Sequence, residues 1–392
     1  MAYFQVNKNP RLTFPTLTGY IVTFNSQYAG LPLKSHKIAL TATQSGSGTP
    51  SPDNVRPISG FTEANIKHCG KNLLENVMQS GTQSGVTFTV NADGTISTSG
   101  KASAAFARAI YSKWPIEFLK GQNAYISGAA EGSQVSGNWR IMLYYHDKNG
   151  SDVGQQTVIA DGALLDIPQT AVDASVTIDI SKNATTNGLV FAPQIELGTS
   201  ASAYEKYNGT TYPISWQTEA GTVYGGTLTI NEDGSVDLVS EWRKEIYTSS
   251  LSPIASGQSS GLTWCTLEKV LSDSQKAYAE TPTAGDGNGI LNVGAWQRGS
   301  AGAKPRAFVT TSLKSLQVVL VSDTYDLRTA QGRTDYYANT LNGTNPEVCY
   351  RLTTPVTYHL DSIEQISTLA GENNIWADVN GEITLTYLAQ AE

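Results

Sequence analysis

The chain has 392 residues, a formal net charge of −8 and only 15% charged residues, against roughly 25% in ordinary soluble domains. That length predicts two or three folded units, each large enough to bury a core, and the sparse charge argues against a long helical coiled coil. With an acidic balance and no basic tail there is no field to gather phosphates, which excludes nucleic acid and anionic lipid as expected partners.

In chain order, the first patterned feature is a Ser/Gly/Pro-rich stretch from Gln44 to Asn54. It runs directly into Val55-Arg56-Pro57-Ile58, so it reads as an ordered extended loop rather than a free linker. Strict alternation at Val86-Thr87-Phe88-Thr89-Val90, Val176-Thr177-Ile178-Asp179-Ile180 and Ile383-Thr384-Leu385-Thr386-Tyr387 predicts half-buried strands. Turn chemistry at Asn91-Ala92-Asp93-Gly94, Asp147-Lys148-Asn149-Gly150, Glu232-Asp233-Gly234 and Asn380-Gly381 predicts hairpins, because Asp-Gly and Asn-Gly supply positive φ cheaply. Glycine- and serine-rich patches at 255–261 and 284–289 predict surface loops. Two segments read as short helices. One runs from about Thr266 to Ala279 with Leu267, Val270 and Leu271 on one face. The other is capped by Ser362, with Ile363, Ile366 and Ala370 in a stripe and Gly371 as its stop. No repeat of fixed period emerges.

Several motifs carry a resemblance. Near the N-terminus they are Gly30-Leu31-Pro32-Leu33-Lys34, Gln44-Ser45-Gly46-Ser47-Gly48, the run from Pro50 to Gly60, and Gly70-Lys71-Asn72-Leu73-Leu74. Near the C-terminus they are Gly221-Thr222-Val223-Tyr224-Gly225-Gly226-Thr227-Leu228 and Asn373-Asn374-Ile375-Trp376-Ala377-Asp378. In this order they resemble the minor structural and tail-associated proteins of phages that infect Gram-positive bacteria. Between them, from Asn72 to Tyr207, the succession of strands and the closing Gln194-Ile195-Glu196-Leu197-Gly198 are similar to carbohydrate-binding-module-like jelly rolls inserted in phage adhesins. The resemblance implies a mainly β chain: a β-sandwich module at 70–207 set into a second β-rich assembly domain made of 1–69 and 208–392, with one or two short helices. Within the latter, 240–345 matches no motif and is expected to be variable. It further implies a non-enzymatic virion component of the tail, baseplate or fibres, assembled in the host cytoplasm. Expected partners are other phage structural proteins, copies of itself in a trimer, and host cell-surface polysaccharide. A capsid decoration or head-fibre protein is the alternative, and a cell-wall glycan hydrolase ranks third.

Sugar recognition needs flat aromatic faces and nearby polar groups. Alternation along Trp139-Arg140-Ile141-Met142-Leu143-Tyr144-Tyr145-His146 puts Trp139, Ile141, Leu143 and Tyr145 toward a core and Arg140, Met142, Tyr144 and His146 on the other face. Arg140, Tyr144 and His146 are therefore the candidate glycan-binding residues, joined by Trp114 and Tyr111 from a predicted connection near Pro115. The same second face also fits a solvated or interface surface.

Other chemistry finds few parts. Gly257-Gln258-Ser259-Ser260-Gly261 matches a nucleophile pattern but lacks the strand-to-helix context. Asp147, Asp179 and Glu196 are carboxylates without distinguishing surroundings, expected in turn or rim roles. Gly94 and Gly100-Lys101 are one residue too far apart for a phosphate loop. Asp286-Gly287-Asn288-Gly289 reads either as a calcium site or as ordinary loop. The Asn373 to Asp378 motif is expected to fix a helix-to-strand corner with Trp376 inserted in the core. Cys69, Cys265 and Cys349 fit neither a disulfide framework nor a zinc site and suggest a reducing compartment. Cys69 beside His68 reads as a small buried residue. No cofactor and no metal are expected. No run approaches the roughly 18 apolar residues of a membrane span, and residues 1–11 lack the apolar run of a signal peptide.

Overall fold

The computed structural model describes residues 12–13, 16–47, 51, 53–134, 137–159, 162–277, 290–292, 297–298, 303–310, 314–379, 381–387 and 389–390. The N-terminal 1–11, the loop at 284–289 with its calcium candidate, Asn380, and parts of the Gln44 to Asn54 loop lie outside the described residues. The chain is mainly β, and Ala330–Asn339 is the one α-helix among the described residues.

Among the described residues three large hydrophobic cores organise the strands, beside a small fourth cluster around Ile58 and Cys349. The first is built mainly from residues 70–207, whose strands form three sheets, and Ile21, Cys69 and Trp376 join it from outside that span. Val86, Phe88 and Ile96 come from one sheet, Ala107, Leu143, Val176 and Ile178 from the second, and Ile126 and Ile195 from the third. All are buried in one cluster, which makes a β-sandwich. The alternating segments seen in the sequence are the strands Val86–Val90 and Asp173–Ser181.

The second core joins the two ends of the chain. Ile21–Ser26 pairs with Gly371–Ala377, which pairs with Glu63–Cys69, which pairs with Thr210–Ser215. This four-stranded sheet packs Val22, Phe24, Ile66 and Ile375 against Ile38, Leu228, Leu238 and Leu385 of a seven-stranded sheet. Because Glu63–Cys69 and Thr210–Ser215 are antiparallel neighbours, with His68 opposite Thr210, the entry to and exit from the sandwich lie side by side.

The third core is built on strands shared with the second. Val236–Ile246 and Glu347–Leu360 pair along their length, with a register shift between Ser240 and Trp242. Their far halves bury Tyr247, Val348 and Tyr350 against Leu267, Leu316 and Val318 of a five-stranded sheet and against Tyr336 and Tyr337 of the helix.

Both predicted helices are replaced by extended chain. Leu262–Val270 is a strand paired with Ser315–Ser322, followed by a short 3-10 turn at Asp273–Gln275. Leu267, Val270 and Leu271 have helical spacing, but Cys265 and Leu267 enter the core at period two while Val270 is 80% exposed. The Thr- and Trp-rich run suits a pleated surface. Around Ser362 to Ala370 the backbone finds its partners across the fold rather than in a helix. Leu33 N donates to Ile366 O (3.0 Å), Thr368 N donates to Leu31 O (2.8 Å) and Gly30 N donates to Thr368 O (2.7 Å). The corner before Gly371–Ala377 is thus loop-to-strand. Asn373 closes it, accepting from Leu369 N at 2.7 Å and donating to Leu369 O and Gly371 O at 3.0 Å.

The Gly257 to Gly261 pattern is a hairpin tip. Ser259 pairs with Leu262, and Ser260 and Gly261 both have positive φ (51° and 80°), as a two-residue primed turn requires.

Candidate functional site

The outer face of the second sandwich sheet gathers chemistry. Its strands run in the order Phe106–Pro115, Asp173–Ser181, Trp139–His146, Asp152–Val158. In Asp173–Ser181 the apolar Ala174, Val176, Ile178 and Ile180 enter the core, so Asp173, Ser175, Thr177 and Asp179 take the outer face. Register then stacks side chains in rows: Lys113, Ser175 and Tyr144 lie across from one another, and Asp173, His146 and Asp152 form the next row. An open cavity of about 670 Å³ lies over these rows, with Trp114 and Tyr144 among its walls.

Two polar networks hold the walls. Arg108 donates through Nε and Nη2 to the two Asp179 oxygens (2.7 and 2.6 Å) and through Nη2 to the Tyr144 hydroxyl (2.5 Å). Thr177 Oγ1 also donates to Asp179 (3.0 Å). The fork geometry fixes Tyr144, whose ring centroid is 4.8 Å from the guanidinium carbon. Its hydrogen bonds to Asp179 hold the Arg108 guanidinium above its ordinary pKa, and burial followed by the Asp179 charge raises the Tyr144 phenol. In the second network His146 Nδ1 is 2.9 Å from Asp152 Oδ1 and Nε2 is 3.1 Å from Ser175 Oγ.

Asp152, His146 and Ser175 have the connectivity of a hydrolase triad. Ser175, however, is in the middle of a strand paired on both sides, so the backbone N–H groups around it are committed to ladders. Nucleophilic attack there lacks the backbone pair that would hold an oxyanion. What the arrangement supplies is a preorganised imidazole, two ring faces and both signs of charge, from Lys113 on one side and Asp152 and Asp173 on the other.

Of the residues named from sequence, Trp114, Tyr144 and His146 line the cavity. Arg140 lies outside it, with its guanidinium 5.2 Å from the Phe106 ring centroid on the same face. Tyr111 must be corrected. Residues 106–115 are a strand rather than a connection, and the ladder slips between Ile110 and Ser112. The ring stays in phase with Ala107 and Ala109 and is 1% exposed in the core, where burial raises its phenol pKa. Lys113, Arg108 and Asp152 were missed. Only cross-strand register brings them here, and no local pattern encodes register. Asp173 and Ser175 were missed as well, although they continue the polar phase of the alternating 176–180 run toward the start of its strand.

The remaining carboxylates have structural partners. Asp147 accepts from Asn149 N (2.8 Å) and Ser151 N (2.9 Å) in its turn. Glu196 accepts from Ser202 N (2.8 Å) and Oγ (2.6 Å). Cys69 is fully buried, and burial pushes its thiol pKa up.

No family model matches the chain, and no curated protein matches it. Among solved structures, it is similar to a crystal structure of accessory secretory proteins 1, 2 and 3 from Streptococcus pneumoniae, at 12% identity and a TM-score of 0.24, over 32% of this chain and 94% of that one. A structure of infectious bursal disease virus, Gx strain, is similar at 7% identity and a TM-score of 0.17, over 98% of this chain and 86% of that one. Likenesses at such TM-scores carry no argument about this chain.

Proposed function

We propose that the chain is a virion protein of the tail, baseplate or fibre region of a phage of Gram-positive bacteria, and that its inserted sandwich binds host cell-surface polysaccharide without cleaving it. One observation supports this most: the open cavity on the sandwich combines the rings of Trp114 and Tyr144 with the hydroxyl-bonding groups Lys113, Asp152 and Asp173. Pyranose rings present CH faces to aromatics and hydroxyls to polar side chains, so both halves of the requirement are met in one place. The adjacent entry and exit strands support the insertion reading, since such a module enters a host domain with little disturbance. The motifs at both chain ends support the virion reading, with self-association as a trimer on a symmetric particle.

Phage particles carrying Tyr144→Ala are expected to assemble in normal yield and to adsorb poorly to host cells. Normal adsorption by those particles would overturn the glycan-binding reading in favour of a purely structural, decorating role.

A further inference from the structure

Cavities follow the strand Phe106–Pro115 and continue past its end. Arg108 and Ile110 line both the main cavity and a neighbour of about 400 Å³. At the other end Lys113, Trp114 and Pro115 line both the main cavity and a third one of about 270 Å³. This third cavity leaves the sandwich. Its floor is the four-stranded sheet of the assembly unit, where Thr211, Lys67 and Trp376 lie in one cross-strand row and Asn65 and Asp378 beside it. Packed rings join the two cavities: Trp114 is 5.7 Å from Phe118, and Phe118, buried like Trp376, stacks on it at 4.5 Å, centroid to centroid. Ten residues of strand span about 30 Å, several times the reach of one sugar ring.

Resting on the glycan reading above, we infer that the ligand is an extended polysaccharide segment of several sugar units, lying along Phe106–Pro115, with its far end held by Lys67, Thr211 and Asp378 of the assembly unit. The polar residues of the third cavity are of the kind that bonds sugar hydroxyls, and Trp114 is the wall it shares with the first. A chain-like ligand threads such a row of sites, whereas a single sugar fills one. Two weak subsites joined by a continuous ligand also act at high effective concentration, so affinity rises with ligand length.

The test uses the purified full chain and host cell-wall polysaccharide, supplied as single repeat units and as fragments of several repeats. Calorimetry on the wild type is expected to show the longer fragments binding at least about tenfold more tightly. The double variant Lys67→Ala/Thr211→Ala is expected to lose most of that gain while keeping single-repeat affinity and the wild-type melting temperature. Equal affinity for short and long fragments, or a double variant that weakens both equally, would overturn the extended site and leave glycan binding by the main cavity standing. No binding of any fragment by the wild type would overturn the glycan reading itself, and this inference with it.

Discussion

Phe118 of the sandwich stacks on Trp376 of the four-stranded sheet with ring centroids 4.5 Å apart and planes 15° from parallel. Both side chains are buried, at 6% exposure each. Trp376 comes from a strand more than 250 residues further along the chain, so this pair ties the inserted module to the sheet from which it emerges. It also braces Trp114, the wall of the main cavity, through Phe118.

Phe118→Ala is expected to destabilise the chain by about 3 kcal/mol, as large-to-small changes of buried aromatics do. The sandwich is also expected to loosen from the sheet. Calorimetric unfolding is expected to split into separate transitions for the sandwich and for the rest of the chain. An unsplit transition at the wild-type temperature would contradict the brace.

Acid is expected to destabilise the unit built on the seven-stranded sheet through His36. The ring is 2% exposed, neither nitrogen has a hydrogen-bond partner among the described residues, and burial, with His68 nearby, lowers its pKa to about 3. The unfolded chain takes up a proton near pH 6.5 while the folded chain does not, so stability falls as pH drops from about 6.5 toward 3. His68, also lowered by burial, adds in the same direction. Urea midpoints at pH 7 and pH 4.5 check this, and His36→Leu is expected to flatten the difference.

Period-two alternation made the strands Val86–Val90, Asp173–Ser181 and Ile383–Thr386 readable, because side chains alternate between two faces, although Asp173–Ser181, expected to be half-buried, is buried on both faces from Ala174 to Ile180. It misled where spacing was ambiguous. Leu267, Val270 and Leu271 fit a helical stripe, and Ile363, Ile366 and Ala370 did too, but the outcome depended on partners at 315–322 and 30–33 that no local window contains. The helix Ala330–Asn339 has a weak sequence signal because Gly332, Thr334 and Asn339 dilute its pattern. Its local signal was Thr329, whose Oγ1 accepts from Gly332 N at 3.0 Å. Of the site, Tyr144 and His146 were readable as the outward phase of Trp139–His146. The rest required register, and the slip beside Tyr111 could not be foreseen from residue types.

Arg108→Ala is expected to cost about 3 kcal/mol, because it strands the fully buried Asp179 carboxylate without its ion partner. Adding Asp179→Asn removes that stranded charge and is expected to restore at least half of the loss. Chemical denaturation of both variants checks the pair, and two purely additive penalties would contradict it.

Ser175 is expected to be inert as a nucleophile despite its contact with His146. Ester hydrolysis by the wild type, assayed with p-nitrophenyl acetate and with acetylated cell-wall polysaccharide, is expected to equal that of Ser175→Ala. Hydrolysis that depends on Ser175 would make the module an esterase.

The most direct test of glycan recognition by the sandwich face is titration of the purified chain with intact host cell-wall polysaccharide. Trp114→Ala and Tyr144→Ala are each expected to weaken binding about tenfold, roughly the 1.4 kcal/mol of one lost aromatic contact. Thr354→Ala, at an exposed position of the strand Glu347–Leu360, is expected to leave it unchanged. Wild-type affinity in both aromatic variants, or no measurable binding by the wild type, would contradict the account.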